Sequence, residues 1–288
     1  MHAPRFTLED VVNQCFSTHK DLGKGRQMPG HYGSVAHNVQ TISSPLGTQI
    51  PQASGAAYAL KHSGKKAVCV CYFGDGAASE GDFHAALNFA ATLDAPAIFV
   101  VRNNGYAIST PVRDQYRGDG IAARGPGYGV STVRVDGNDL FAVYNAAKWA
   151  REYALEHSRP VLIETMTYRV GHHSTSDDSS RYRSQDEIDW WRGHQDPIAR
   201  LRRHLASRGL FNDEMDAALV KDLRTDVIAH IRSAARMKKP PISEMFLDVY
   251  DKPTPALLEQ ERELHAHLRR HKDEYKSVLS AHEGGFDF

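Results

Sequence analysis

Two short apolar runs, each ending in a polar turn, constrain this chain more than anything else in it. Ala67 to Phe73 runs into Gly74-Asp75-Gly76, and twenty-six residues, Ala77 to Arg102, separate that turn from Asn103-Asn104. The second run, Ala97 to Val101, sits just before Arg102. Both are short and rich in strand formers, and both read as buried strands. Between them, Ser79 to Leu93 places Phe83, Leu87 and Ala90-Ala91 at helical spacing. Glu80 and Asp82 occupy its first turn, where the helix dipole favours negative charge. A strand-helix-strand unit crosses over right-handed, so the strands are parallel and both polar turns emerge at carboxyl ends on one edge of a sheet.

That convergence carries chemistry. The Asp75 carboxylate and the Asn104 amide oxygen are hard donors of the kind magnesium selects, at about 2.1 Å in a near-octahedral shell completed by phosphate oxygens and water. Glycines let the backbone approach phosphates, and the following helix N-terminus offers free N–H groups to an anion. Taken singly, an Asp-Gly and an Asn-Gly turn need no ligand at all. Together, at this spacing and after two strands, they point to a magnesium ion carrying a diphosphate.

Lysine plus arginine equals aspartate plus glutamate at 35 each among 288 residues, so the chain as a whole has no electrostatic pull toward nucleic acid or an anionic membrane surface. A small anion would need a local site. Cys15, Cys69 and Cys71 lack metal-finger spacing, and Cys69 and Cys71 point to one face of a predicted strand; the three read as core thiols in a reducing compartment. No apolar run reaches the roughly eighteen to twenty residues of a membrane span. Met1 to Asp10 lacks an apolar signal core and contains acidic residues, so it reads as neither secretory signal nor transit peptide.

The rest of the chain fits an α/β domain with a helical tail. A helix is expected from Leu8 to Lys20, then a glycine-rich connection, Gly23 to Tyr32, whose Lys24, Arg26 and His31 face a partner or solvent. A second helix covers Gln52 to Lys61. Gly105 to Gly129 is a long loop with six glycines and two prolines, a length that is usually functional or disordered. Ser131 to Val135 and Val161 to Met166 read as strands. Asp139 caps a helix to about His157, with Val143, Ala147, Ala150 and Ala154 on one face. Arg169 to Ser184 is polar, with no apolar anchor before Tyr182. From Asp186 onward the pattern is helical and more charged, with a long helix after the Asn212-Asp213 cap and another from Pro255 to Lys276. This predicts a domain over 1–185, with its core at about 21–185, and a helical extension over 186–288.

Four stretches carry a resemblance to a known family: Thr41 to Gln49, Arg102 to Thr110, Tyr116 to Ala122 and Gly171 to Asp178. The Gly-Asp-Gly to Asn-Asn pattern resembles the thiamine diphosphate signature. These stretches narrow it to alpha subunits of branched-chain 2-oxo acid dehydrogenases, with Ser174-Thr175-Ser176-Asp177-Asp178 favouring that branch over the pyruvate one. The resemblance covers about Asp21 to the tail. It implies a thiamine diphosphate-binding α/β fold with a mostly parallel sheet flanked by helices, and oxidative decarboxylation of branched 2-oxo acids with acyl transfer to lipoyl groups.

It also implies a set of site residues. Asp75, Asn104 and the Tyr106 carbonyl would hold Mg2+; Ser44, Leu46, Gly74, Asp75, Gly76, Ala77, Arg102 and His173 would contact the cofactor. Ser43, Pro45, Thr48 and Gln49 resemble K+ ligands, although a helix N-cap after a proline turn has much the same composition. His173 would be catalytic, moving protons near neutral pH; by itself, a loop histidine reads as solvated. Ser174 and Ser184 resemble kinase targets, and a phosphate on Ser174 would add about two negative charges beside Asp177 and Asp178.

Implied partners are a beta subunit in an alpha-two beta-two tetramer, a lipoyl-bearing acyltransferase core, and a dedicated kinase and phosphatase. The beta subunit would supply the carboxylate that activates the cofactor. The implied location is the mitochondrial matrix in a eukaryote and the cytoplasm in a bacterium. Family members carry a Tyr-Arg pair upstream of the first shared helix that contacts the diphosphate, and this sequence has none there, as in a shortened product. Two alternatives therefore stand beside the main reading: a pyruvate-type alpha subunit, and an inert variant that binds partners without turnover.

Overall fold

Thr7 opens the first helix, α1 (Leu8–Phe16), through a reciprocal cap. Its hydroxyl accepts from the Asp10 N–H at 3.1 Å while the Asp10 carboxylate accepts from the Thr7 N–H at 2.8 Å. The helix was expected to reach Lys20, but Ser17 turns left-handed (φ 51°) and sends its N–H back to the carbonyls of Asn13 and Gln14. The computed structural model describes residues 6–285. They form two compact units, one running from Pro45 to Asn212 and the other comprising residues up to Ser44 together with those from Asp213 on.

In the 45–212 unit, helix α2 (Gln49–His62) precedes strand β1 (Cys69–Gly74), and helix α3 (Gly81–Thr92) leads to β2 (Ala97–Asn103). A small antiparallel hairpin follows, β3 (Tyr106–Ala107) with β4 (Thr110–Pro111), then a single helical turn, α4 (Val112–Gln115). Strand β5 (Ser131–Asp136), helix α5 (Leu140–His157) and strand β6 (Val161–Met166) complete the sheet. Its four strands lie in the order β1-β2-β6-β5, all parallel. The crossover read from the sequence is present, and Gly74 pairs with Arg102 at its carboxyl edge.

Two layers of helix bury the sheet. Helices α2 and α3 pack on the face of Phe73, Phe99 and Val101, with Phe83, Leu87 and Ile50 fully buried between them. Each such large side chain contributes about 1.5–3 kcal/mol. Alanines at 53, 57, 86 and 90 let these two helices approach closely, and the Ser54 hydroxyl donates to the Ala86 carbonyl at 2.9 Å. On the other face α5 covers Ile98, Val161 and Ile163 with Ala146, Ala150 and Ala154.

Several expectations need correction here. Strand β1 is buried on one side only: it is an edge strand, and Val70 and Tyr72 are 44% and 71% exposed. Ala147 does not join the packed face of α5, where Ala146 and Tyr153 sit instead. Cys15 is exposed and not a core thiol. The long 105–129 loop is built from the β3–β4 hairpin, α4 and two short 3-10 turns, Ala122–Arg124 and Pro126–Tyr128. Helices α6 (Gln185–Gln195) and α7 (Pro197–Ser207) end this unit, and Arg200 of α7 pairs with Asp136 at 2.7 Å.

The other unit joins α1 to α8 (Asp213–Ala234), α9 (Pro255–Arg270) and α10 (Lys276–Ser280). Lys24 and Arg26, expected to face a partner or solvent, are engaged within the unit. Lys24 pairs with Glu244 at 2.6 Å and Asp248 at 2.7 Å, and Arg26 pairs with Asp248 at 3.0 Å. The Asp248 and Glu244 contacts raise the Lys24 ammonium above its ordinary range. Among the described residues, no helix is long and apolar enough to cross a membrane.

Candidate metal and diphosphate site

The register Gly74↔Arg102 sets Asp75 and Asn103-Asn104 side by side at the carboxyl edge of the sheet. Asp75 is 1% exposed. One carboxylate oxygen accepts from the Asn104 N–H at 3.3 Å; the other accepts from the Gln115 amide at 2.9 Å. The Asn104 side-chain oxygen accepts from the Tyr106 N–H at 3.1 Å, closing a tight turn over Gly105, whose φ of 85° suits glycine. The expected ligands Asp75, Asn104 and Tyr106 are therefore brought together. Gly74, Gly76 and Ala77 line the same strand-to-helix turn. Arg102 is exposed at the end of β2.

Beneath this turn lies a carboxylate that the sequence reading passed over. Glu164 in β6 is completely buried. Its Oε1 accepts from the Asn103 amide at 2.8 Å and the Ile121 N–H at 2.9 Å; its Oε2 accepts from the Ala122 N–H at 2.8 Å and Arg134 at 3.0 Å. Burial alone would push this carboxyl up, but the four donors outweigh it and hold the group below the ordinary range. An acid within a strand, directly after the apolar run Val161-Leu162-Ile163, was the available signal, since an unpaired buried charge is not tolerated.

The 169–184 loop leaves the same edge, beyond Met166 of β6. Its expected lack of an apolar anchor before Tyr182 does not leave it loose: two arginines, Tyr182 and rings from outside the loop hold it. Arg183 is buried and donates to the carbonyls of Arg169 and Gly171, while Arg169 donates to the Ile108 carbonyl at 2.6 Å and the Tyr182 hydroxyl at 2.7 Å. Tyr182 donates onward to Asp177 at 2.6 Å, and Asp177 also accepts from the His173 N–H at 2.8 Å. Tyr106, Tyr168 and Tyr182 surround the Arg183 guanidinium, and Tyr168 stacks on Trp191 at 5.1 Å. A buried arginine held by backbone carbonyls and by rings outside the loop anchors it, so the loop's own apolar pattern could not have marked it.

His173 itself is exposed, and its backbone is fixed through Asp177. The structure also places Ser174 exposed in this loop, while the Ser184 hydroxyl caps α6 by accepting from the Glu187 N–H at 3.2 Å. Of the residues resembling potassium ligands, the Thr48 hydroxyl donates to the Pro45 carbonyl at 3.2 Å and the Gln49 amide to the Tyr72 carbonyl at 3.4 Å. Ser43 and Ser44 belong to the other unit, where Ser44 bonds His31 at 2.8 Å. Leu46 is 64% exposed.

The donor chemistry at Asp75 fits a hard cation. Among the described residues, no cluster of three or more His, Cys, Asp or Glu side chains is placed to hold a metal. A cation here would rest on one carboxylate, the Asn104 amide oxygen and the Tyr106 carbonyl, with water completing the shell as magnesium prefers. The Gln115 side-chain oxygen is buried and, among the described residues, has no hydrogen-bond partner. It is an acceptor beside Asp75 that a metal-bound water would satisfy.

A sequence model of the family described as "Dehydrogenase E1 component" matches residues 1–243. Among curated proteins, the mitochondrial 2-oxoisovalerate dehydrogenase subunit alpha of Dictyostelium discoideum is 58% identical over 271 residues, 94% of this chain and 62% of that protein. Proteins of the same description are 57% identical in Bos taurus and 55% in Homo sapiens, each over 270 residues. In both cases 94% of this chain is covered, against 59% and 61% of those proteins. The chain spans about three fifths of the length of these relatives.

Proposed function

Since the chain belongs to the dehydrogenase E1 component family and is closely related to 2-oxoisovalerate dehydrogenase alpha subunits, we propose that it serves the oxidative decarboxylation of branched-chain 2-oxo acids, with acyl transfer to lipoyl groups. Its cofactors on this reading are thiamine diphosphate, Mg2+ and K+. The observation that carries it is the junction of Asp75 with the Asn104 turn at the carboxyl edge of the parallel sheet. When bound, thiamine diphosphate supplies the electron sink for loss of carbon dioxide.

The chain's own residues bind and orient. Asp75, Asn104 and the Tyr106 carbonyl hold the magnesium, and Gln115 holds one Asp75 oxygen in place. Gly74, Gly76 and Ala77 admit the diphosphate to the start of the following helix, with Arg102 as a forked donor to its oxygens. Ser44 and Leu46 contact the cofactor, and Ser43, Pro45, Thr48 and Gln49 hold the potassium. His173, on a loop tied down through Asp177, moves a proton at its imidazole. A phosphate on exposed Ser174 would repel Asp177, whose carboxylate orders that loop.

The partners on this reading are a beta subunit in an alpha-two beta-two tetramer, a lipoyl-bearing acyltransferase, and a kinase and phosphatase acting on Ser174 and Ser184. The location is the mitochondrial matrix, which the mitochondrial relatives support. Calorimetric titration of thiamine diphosphate with Mg2+ into the chain co-purified with a beta subunit tests the proposal. Saturable binding, abolished in Asp75→Ala, is expected, together with turnover of branched 2-oxo acids ahead of pyruvate. A folded complex that binds no cofactor would overturn it.

A further inference from the structure

We propose that Glu164 is the positioning residue of the metal and diphosphate site, setting from inside the sheet both the Asn104 turn and the segment that closes over it; this rests on the function proposed above. The Asn103 side chain is the relay. Its amide nitrogen donates to Glu164 Oε1 at 2.8 Å and to the Tyr116 hydroxyl at 3.2 Å, while its oxygen accepts from the Gly105 N–H at 3.1 Å. Because Glu164 accepts only, the amide cannot turn round: its oxygen must face Gly105. Gly105 is the middle of the turn that presents the Asn104 oxygen and the Tyr106 carbonyl.

The same carboxylate, through both of its oxygens, also reaches the segment after Gln115. Through the N–H groups of Ile121 and Ala122, Glu164 pins the segment that begins at Gln115, the residue holding Asp75. Gly120 leaves room for this: a Cβ there would lie 2.4 Å from Arg134 and 2.9 Å from both Glu164 oxygens. Arg134, itself bonded to Asp119, closes the set. Four donors saturate a carboxylate. A glutamine of the same shape has one acceptor oxygen and two N–H groups, so it leaves donors facing donors beneath the site.

Glu164→Gln is compared with Thr165→Val, which removes one buried hydrogen bond to Val101 from the same strand without touching Asn103. In the chain co-purified with its beta subunit, the measurements are thermal stability, the Mg2+ concentration for half-saturation with thiamine diphosphate, and hydrogen exchange over 103–106 and 119–123. Glu164→Gln is expected to need about tenfold or more Mg2+ and to lose exchange protection in both segments. Thr165→Val is expected to lose stability and keep its Mg2+ requirement. Asn103→Ala, which leaves three of the Glu164 donors in place, is expected to raise the Mg2+ requirement even if Glu164→Gln does not fold. Unaltered Mg2+ dependence in Glu164→Gln or Asn103→Ala, or an equal loss in Thr165→Val, overturns the inference while the proposed function stands. A wild-type complex that binds no Mg2+ and thiamine diphosphate overturns both.

Discussion

Replacing Gly76 by alanine isolates one contact at the site. Gly76 has ordinary helical angles, φ −61° and ψ −45°, so alanine brings no backbone strain. Its Cβ, however, would lie 2.8 Å from the Ala107 Cβ and 3.4 Å from the Ala107 Cα. Carbon atoms rest at about 3.5–4.0 Å, so relief requires a displacement of roughly 1 Å. Overpacking of this kind costs about 1–3 kcal/mol. The displaced element is β3, which also carries the Tyr106 carbonyl and is separated from Asn104 only by Gly105. Magnesium demands near-ideal octahedral geometry, so an ångström there is expected to weaken Mg2+-dependent cofactor binding about tenfold or more.

The assay is thiamine diphosphate titration at fixed Mg2+, paired with urea denaturation. A double-mutant cycle with Ala107→Gly separates crowding from general damage. That change removes the colliding Cβ and costs about 0.5–1 kcal/mol alone, leaving only the ordinary 3.4 Å contact to Cα. The double variant is therefore expected to bind more tightly than Gly76→Ala, with a coupling energy of about 0.5–3 kcal/mol. Wild-type affinity in Gly76→Ala, or a double variant no better than it, would refute the reasoning.

Tyr182→Phe removes the hydroxyl that joins Arg169 to Asp177 and should speed proteolysis within 169–184, with a stability loss of about 0.5–1.5 kcal/mol. The Tyr182 hydroxyl first, and the His173 N–H next, hold Asp177 below the ordinary carboxylate range. Loop protection should therefore be full above about pH 4, the unfolded value, and fade as pH falls through the folded one, with the onset at higher pH in Tyr182→Phe; identical acid profiles would sink this account. Ser184→Ala removes the cap on the Glu187 N–H and should cost about 1 kcal/mol by chemical denaturation; no measurable loss would discount the cap. At pH 8 a thiol reagent should label exposed Cys15 first and Cys71 only on unfolding, because burial, then the neighbouring Cys69, pushes the Cys71 thiol up to about 12; early labelling of Cys71 would contradict its packing.

The parallel sheet and the junction of Asp75 with Asn104 were legible in the sequence for a local reason. The strands β1 and β2 that end in the polar turns are short apolar runs, a right-handed crossover makes them parallel, and the polar turns then share one edge. Periodicity also placed α3 and the Asp139 cap of α5, because both depend on neighbours a few residues away. What surrounds the site depended on contacts remote in the chain. Glu164 meets Asn103, sixty-one residues earlier, and Ile121, forty-three earlier. Gln115 meets Asp75 forty residues away. Nothing in the composition of a strand tells an acid saturated by four donors from one that ends the strand. The same holds for Val70 and Tyr72, exposed because β1 lies at an edge, and for the 169–184 loop, ordered by arginines that in sequence look like a solvated stretch. Local pattern determines which residues form strands and turns; only the assembled tertiary structure decides which distant polar groups meet, because burial makes their hydrogen bonds obligatory.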